Sequence, residues 1–253
     1  MKKITYLISN INKSLAFEWI VEELDKNRFD LSFILLNNGG SDLENFLHSH
    51  DIQHYRVHFT GKKSLPIALL KVLTNLCRHR PDVIHCHMFD ACLIGLLAGK
   101  LLAIRRRIFT RHSGSYNWYY NKKGLGYDRL FAWLSTDVVA ISQNVKNLLI
   151  EKECVPSHKV SLVHHGFKLD EFCNVPTSRV EALQQKYNPS KKRPVIGIIS
   201  RWLHLKGIQY IIPAFNKLLK EYPDALLVLA NAKGPYRPEI EKQLSELPSE
   251  SYY

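Results

Sequence analysis

No two of the five cysteines (Cys77, Cys86, Cys92, Cys154, Cys173) have C-x-x-C spacing, and their number is odd. That argues against a disulfide framework and suits free thiols in a reducing compartment. No Asp-x-Asp occurs, so the commonest paired-carboxylate cation site is missing. Neither G-x-S-x-G nor G-x-x-x-x-G-K-[ST] is present, which leaves hydrolase-elbow and P-loop readings without support. A membrane-spanning helix needs about 20 apolar residues. The most apolar stretch, 91–103, is ended too soon by Arg105, Arg106 and Arg107. The N-terminus, Met1 to Asn10, is basic and then apolar. Its apolar part is too short for a secretion signal, and it reads as a first strand.

What is present suits a globular protein with a substantial core: 253 residues, 45% of them hydrophobic. The net charge is +12. Residues 56–123 hold thirteen Lys and Arg against two Asp, so nearly all the excess sits in that stretch. Nucleic acid, an anionic membrane surface or a phosphorylated substrate would each complement it.

Strand and helix patterns alternate along the chain. Strands are expected at 4–9, 29–36, 52–59, 83–87, 107–111, 137–142 and 160–164. Helices are expected between them, with Ser14 and Pro66 at helix starts and Ser142 as a cap. In the helix 91–103, Ala91, Gly95, Gly99 and Ala103 recur every fourth residue, a smooth strip suited to close approach onto a sheet. This alternation is the pattern of a parallel, doubly wound α/β sheet. It weakens over 174–193, the expected linker. A second α/β unit then begins at Pro194 but offers only two strands in 194–253. A complete doubly wound domain usually takes about 100–150 residues, so this unit is expected to be partial. The expected organisation is therefore 1–173, linker 174–193, and 194–253.

The most informative stretch lies in the second unit. Residues 195–199 form an apolar, mostly β-branched run that suits a strand buried on both faces. Ser200 ends it. Arg201 leaves the strand, Lys206 follows, and Gly207 opens a helical pattern with Ile208, Ile211, Ile212, Phe215, Leu218 and Leu219 on one face. Two cations thus flank a strand-to-helix turn, where open α/β sheets bind ligands and a helix N-terminus adds anion donors. In the first unit, His112 follows a strand and precedes Ser113-Gly114 at the same kind of edge. His85 and His87 share one face of a strand without Cys86, and no further Cys or His pair has ligand spacing, so no metal site is expected. Tyr116, Trp118, Tyr119 and Tyr120 with Lys122 and Lys123 form an amphipathic cluster suited to a membrane interface or a sugar-bearing acceptor.

Ser200-Arg201 with Lys206-Gly207, followed by Ala225 to Ala230, resembles the start of the C-terminal domain of glycosyltransferase family 4. These are retaining, nucleotide-sugar-dependent enzymes of the GT-B fold, with two Rossmann-type domains. Asp137-Val138-Val139-Ala140-Ile141-Ser142, Lys159 to Phe167, and Thr110-Arg111-His112-Ser113-Gly114 resemble further motifs of that family. The resemblance implies that Arg201 and Lys206, with Gly207, hold the donor diphosphate and that His112 reaches the donor sugar. Ser142 and Gly166, the latter in a tight turn, are assigned to architecture near the cleft. Many members carry a Gly-Gly pair between the first strand and helix. Here the first glycine is Gly39, and Asn12, Lys13 and Ser14 stand in that loop as the candidates for meeting an acceptor or phosphate.

The expected activity is transfer of a sugar from a nucleotide-diphospho-sugar to a cell-surface polysaccharide or lipid-linked acceptor. The nucleotide-sugar is a co-substrate, and no resident cofactor is expected. The setting would be cytoplasmic, peripheral on an anionic membrane; nucleic acid is not the expected partner. The family's acidic motif for the donor ribose and sugar would lie beyond Tyr253, so these 253 residues alone are expected to turn over poorly. The alternatives are a non-catalytic basic module that binds membranes or nucleic acid, and a sugar epimerase of the same fold.

Overall fold

The computed structural model describes residues 1–114, 116–230 and 233–253. It divides into two compact units, Met1–Lys168 and Leu169–Tyr253. In the first, β1 (Lys2–Ser9), β2 (Phe29–Asn37), β3 (Gln53–His58), β4 (Val83–His87), β5 (Arg106–Arg111), β6 (Asp137–Ala140) and β7 (Val160–Leu162) form one sheet. Its order is β3-β2-β1-β4-β5-β6-β7 and every pairing is parallel. Leu7 and Ile8 of the central β1 are fully buried on opposite faces, as a strand between two helical layers requires.

The connecting helices are α1 (Leu15–Glu23), α2 (Asp42–Ser49), α3 (Leu65–His79), α4 (Phe89–Leu101), α5 (Tyr116–Tyr119), α6 (Gly124–Leu134) and α7 (Gln143–Asn147). One face of the sheet packs Phe17, Val21, Leu43 and Leu47 of α1 and α2 onto Ile8, Phe33 and Leu35. The other face receives α3, α4, α6 and α7. Pro66 and Ser142 start their helices as expected, whereas the expected cap Ser14 makes no side-chain bond and Ser41 supplies one that was not foreseen. The Ser41 hydroxyl accepts from Glu44 N at 3.2 Å, Pro66 lies in the first turn of α3, and the Ser142 hydroxyl accepts from Val145 N at 3.3 Å.

The small-residue strip of α4 serves close approach. A Cβ on Gly95 would come 2.7 Å from Cys86 Sγ and 2.8 Å from Leu7 Cδ2, and one on Gly99 would overlap Ile84. The helical segment that Ser142 caps is α7 followed by a π-helical turn, Leu148–Lys152. The aromatic cluster from Tyr116 contains the short α5, and Trp118 there donates to Glu153 Oε1 at 3.4 Å.

The second unit contains α8 (Asp170–Cys173), α9 (Thr177–Tyr187), β8 (Val195–Ile199), α10 (Ile208–Leu218), β9 (Leu226–Ala230) and α11 (Arg237–Leu244). Much of the 174–193 stretch is thus α9, and it is grouped with the second unit. β8 and β9 pair in parallel, and Tyr252 bridges to Leu227 in the same sense. Trp202, Ile208, Ile212, Phe215, Leu227, Ile240 and Leu244 make its core. The expectation that β8 is buried on both faces is corrected. Ile196 and Ile198 pack against this core, which α10 and α11 both join, whereas Val195, Gly197 and Ile199 are exposed. The physical reason is that both helices lie on one face, and no described residue covers the other.

Candidate functional site

The strand order places β4 beside β1, while the connection from β1 runs to β2 on its other side. This reversal opens a crevice at the C-terminal ends of β1 and β4, the ligand position of doubly wound sheets. The chain leaves β1 through Asn10 at φ 54° and leaves β4 through Met88 at φ 68°. Asn is among the few non-glycine residues that tolerate this region, so Asn10 turns the glycine-free loop. Its Nδ2 also donates to Asp90 Oδ2 at 2.9 Å, and Ser9 Oγ accepts from Ala91 N at 3.2 Å, tying both sides of the crevice together. Asn12 is occupied elsewhere: Nδ2 donates to Asp42 Oδ2 at 3.1 Å, and its carbonyl accepts from Leu43 N at 2.8 Å. Lys13 is exposed and makes no ion pair among the described residues, and the Ser14 side chain makes no capping bond.

At the same edge the sheet gathers four histidines. His85 and His87 project from one face of β4, and Thr110 and His112 follow the same alternation along and beyond β5. His85 Nε2 bonds Thr110 Oγ1 at 2.8 Å, and His87 Nδ1 bonds His112 Nε2 at 3.1 Å. The His165 ring stacks on His112 with centroids 5.7 Å apart. Tyr6 and Phe17 wall the group from β1 and α1. Burial holds His85 and His112 down to about 4, aided by the charge of His112 on the first and of His165 on the second. Burial pushes His87 well below the usual range, with His85, His112 and His165 adding to the effect. His85, His87 and His112 are therefore neutral at pH 7. Among the described residues no three His, Cys, Asp or Glu side chains are placed to hold a metal ion.

This neutrality sets a pH dependence. Unfolded histidines take up protons near pH 6.5, but His85 and His112 take them up only near pH 4 and burial holds His87 lower than usual as well, so the unfolded state binds more protons below pH 6.5. Stability of the first unit is full above about pH 6.5 and falls as pH drops toward 4, by up to about 1.4 kcal/mol per pH unit per histidine. The urea midpoint should fall already between pH 6.5 and 5, above the carboxylate range; a flat midpoint there would contradict the reading.

Beside His112, Arg111 is 4% exposed and pairs with both Asp128 and Glu153. Asn117 Nδ2 donates to Asp128 Oδ2 at 2.7 Å, and Arg111 Nε donates to Ser113 O at 2.8 Å, which fixes the backbone just past His112. Burial raises the Glu153 carboxyl, opposed chiefly by Arg111. A cavity of about 320 Å³ opens here, lined by Phe89, Cys92, His112, Asn117 and Phe131. A larger one, about 410 Å³, lies between β3 and α3. The smaller one adjoins the C-terminal ends of the strands, and position outweighs size in this fold.

In the second unit, Arg201, Lys206 and Gly207 stand on one loop between β8 and α10. Gly207 has φ 73° and precedes the first residue of α10. Arg201 and Lys206 are exposed, and neither makes an ion pair among the described residues. Trp202 between them is 5% exposed and anchors the loop in the core. Its N donates to Lys233 O at 2.8 Å, and its carbonyl accepts from Tyr236 N at 3.2 Å. Gly234, at φ 153°, packs so close that a Cβ would overlap the Trp202 carbonyl.

A family model described as Glycosyltransferase Family 4 matches residues 20–171, more than half of the chain. The chain belongs to that family. It is 23% identical to the capsular polysaccharide biosynthesis glycosyltransferase CapM of Staphylococcus aureus, over 91% of this chain and 61% of CapM. Among solved structures, HepE of Anabaena in complex with UDP and glucose superposes with a TM-score of 0.77 at 19% identity, covering all of this chain and 68% of HepE. The UDP-GlcNAc 2-epimerase of Neisseria meningitidis, bound to UDP-GlcNAc, gives 0.65 at 19% identity over 99% of this chain and 71% of its own. These likenesses show the GT-B-type fold. The chain spans about three fifths of the length of CapM.

In this family 4 protein, then, the structure gathers Arg201, Lys206 and Gly207 on one loop and seats His112 in a histidine cluster. Asn12, though exposed, bonds to Asp42 at the start of α2. Gly166 has neither a positive φ nor a crowded Cβ position, so the tight turn expected there does not depend on glycine. Sequence reading put His85 and His87 on one strand face but missed the contact of His87 with His112, and it missed Asn10 and Gly234. The spacings 85/87 and 110/112 carry the signal for the first, because each pair shares a strand face. Only the pairing of β4 with β5 shows that the two faces are the same one.

Proposed function

We propose that the protein transfers a sugar from a nucleoside-diphospho-sugar to a hydroxyl of a polysaccharide or lipid-linked acceptor, with retention at the anomeric carbon. The observation that carries this is the pair of exposed cations, Arg201 and Lys206, with no ion-pair partner among the described residues, on a strand-to-helix loop of a family 4 chain that Trp202 anchors. In the transfer, the bond from the anomeric carbon to the β-phosphate oxygen breaks and a bond to the acceptor oxygen forms. The electron pair of the broken bond stays on the diphosphate, and the acceptor proton leaves with it. Arg201 and Lys206 neutralise that developing charge. His112, neutral at pH 7, hydrogen-bonds a hydroxyl of the donor sugar and orients it.

CapM supports an acceptor in surface polysaccharide assembly, and HepE, solved with UDP and glucose, supports a UDP-sugar donor. No helix among the described residues is long and apolar enough to cross a membrane. Contact with an anionic membrane is instead suited by Ile67 and Leu70, 59% and 63% exposed on α3, near Lys62, Lys63, Lys71 and Arg78. Calorimetric titration with UDP and UDP-glucose tests the reading. Saturable binding of both is expected. No binding to either, with polynucleotide binding that weakens steeply with salt, would replace it with the basic-module alternative. Where turnover is seen, a glycosylated acceptor and free nucleoside diphosphate support transfer, and an epimerised nucleotide-sugar refutes it.

A further inference from the structure

We infer that His87 is the positioning residue for His112: its Nδ1–H donates to His112 Nε2, fixes that ring's rotation, and leaves the His112 proton on Nδ1 as the donor for a sugar hydroxyl. This deepens the proposed function and rests on the role of His112 there.

Three observations carry it. The first is the bond itself, 3.1 Å between His87 Nδ1 and His112 Nε2. The second is confinement. His87 is 5% exposed, and its ring is held by Phe17 edge-on at 4.9 Å, Tyr6 at 5.3 Å and His85 at 4.2 Å, so it does not turn to offer its other nitrogen. The third is a missing partner: His87 Nε2 is buried and has no hydrogen-bond partner among the described residues.

A neutral imidazole carries one N–H and one bare nitrogen. If His87 kept its proton on Nε2, that N–H would be orphaned in the core. Among backbone groups a buried orphan N–H is rarer than an under-satisfied acceptor, and the same preference puts the His87 proton on Nδ1. His112 Nε2 is then the acceptor, and its own proton sits on Nδ1. Protonating either ring would place a cation among the remaining histidines, which burial and mutual repulsion oppose. The pair therefore holds one tautomer instead of sampling several, so His112 meets the sugar as a donor without first reorganising.

The test is a long-range proton–nitrogen NMR spectrum of the 15N-labelled 253-residue chain at pH 7, with the His112 signals assigned by their loss in His112→Gln. A protonated Nδ1 and a bare Nε2 on His112 are expected. His87→Phe removes the donor, and the His112 proton should spread over both nitrogens. His87→Asn places an amide donor where Nδ1 stood and should restore the native pattern. A native His112 protonated on Nε2 overturns the proposal, and this needs no variant to fold. An unchanged His112 tautomer in folded His87→Phe overturns it as well. A second arm separates the two readings. His87→Phe should keep the affinity for UDP and lose the additional affinity for UDP-glucose; loss of both equally would make His87 merely structural. If the native chain binds neither ligand, the transferase reading fails, while the NMR result still decides whether His87 sets the tautomer of His112.

Discussion

Arg201→Ala should weaken UDP binding by about 10- to 100-fold, the effect of losing a hydrogen-bonded cation worth about 1.5–3 kcal/mol. Arg201 is exposed and has no carboxylate partner among the described residues, so its removal leaves no buried charge behind. The loss therefore reports the ligand contact and not a collapse of the loop. A guanidinium presents two parallel donors to a phosphate, which an ammonium cannot reproduce, so Arg201→Lys should recover only part of the affinity. Lys206→Ala should cost less, about tenfold, as the loss of a point charge next to the N-terminus of α10. Calorimetry at two salt concentrations checks all three variants, and the Arg201→Ala curve should also be less salt-sensitive. Unchanged UDP affinity in Arg201→Ala would remove the loop from the donor site.

The second large effect is structural and tests the same loop from beneath. Gly234→Ala forces a Cβ against the Trp202 carbonyl at a φ of 153°, so it combines overpacking with backbone strain. Each of those costs about 1–3 kcal/mol, and the second unit should lose about 3 kcal/mol or more of stability. Trp202 sits between the two cations, so UDP affinity should fall as well, although Gly234 carries no ligand group. Gly197→Ala in β8 is the control, because nothing lies within 4 Å of its Cβ position and its φ is not positive. Urea unfolding followed by tryptophan fluorescence measures both. Equal stability of the Gly234→Ala and native chains would show that the loop is not braced from Gly234.

The pH prediction and the His87 prediction concern one cluster but different quantities. The first follows from how many protons the histidines hold, the second from which nitrogen holds them. A fall in stability below pH 6.5 would thus accompany either tautomer.

Much of the architecture was legible because it is encoded locally. Alternation of apolar strands with amphipathic helices, Ser142 as a cap and Pro66 in a first helical turn each depend on neighbours a few residues away. They placed the first-unit strands to within about two residues. The strip of Gly95 and Gly99 likewise announced a helix pressed onto a sheet. The exposed face of β8 escaped notice, because a β-branched run reads the same whether helices cover one side of the strand or both.

The candidate site divides along the same line. The residue order by itself determined that Arg201 and Lys206 share one turn, since both fall within the eight residues, 200–207, that join the strand to the helix. That His87 touches His112, that Asn10 performs the turn a glycine would make, and that Gly234 supports Trp202 were decided only in three dimensions. Each of these contacts joins segments at least 25 residues apart or depends on a backbone angle, and strand order and φ are properties of the folded chain, set by packing across the sheet.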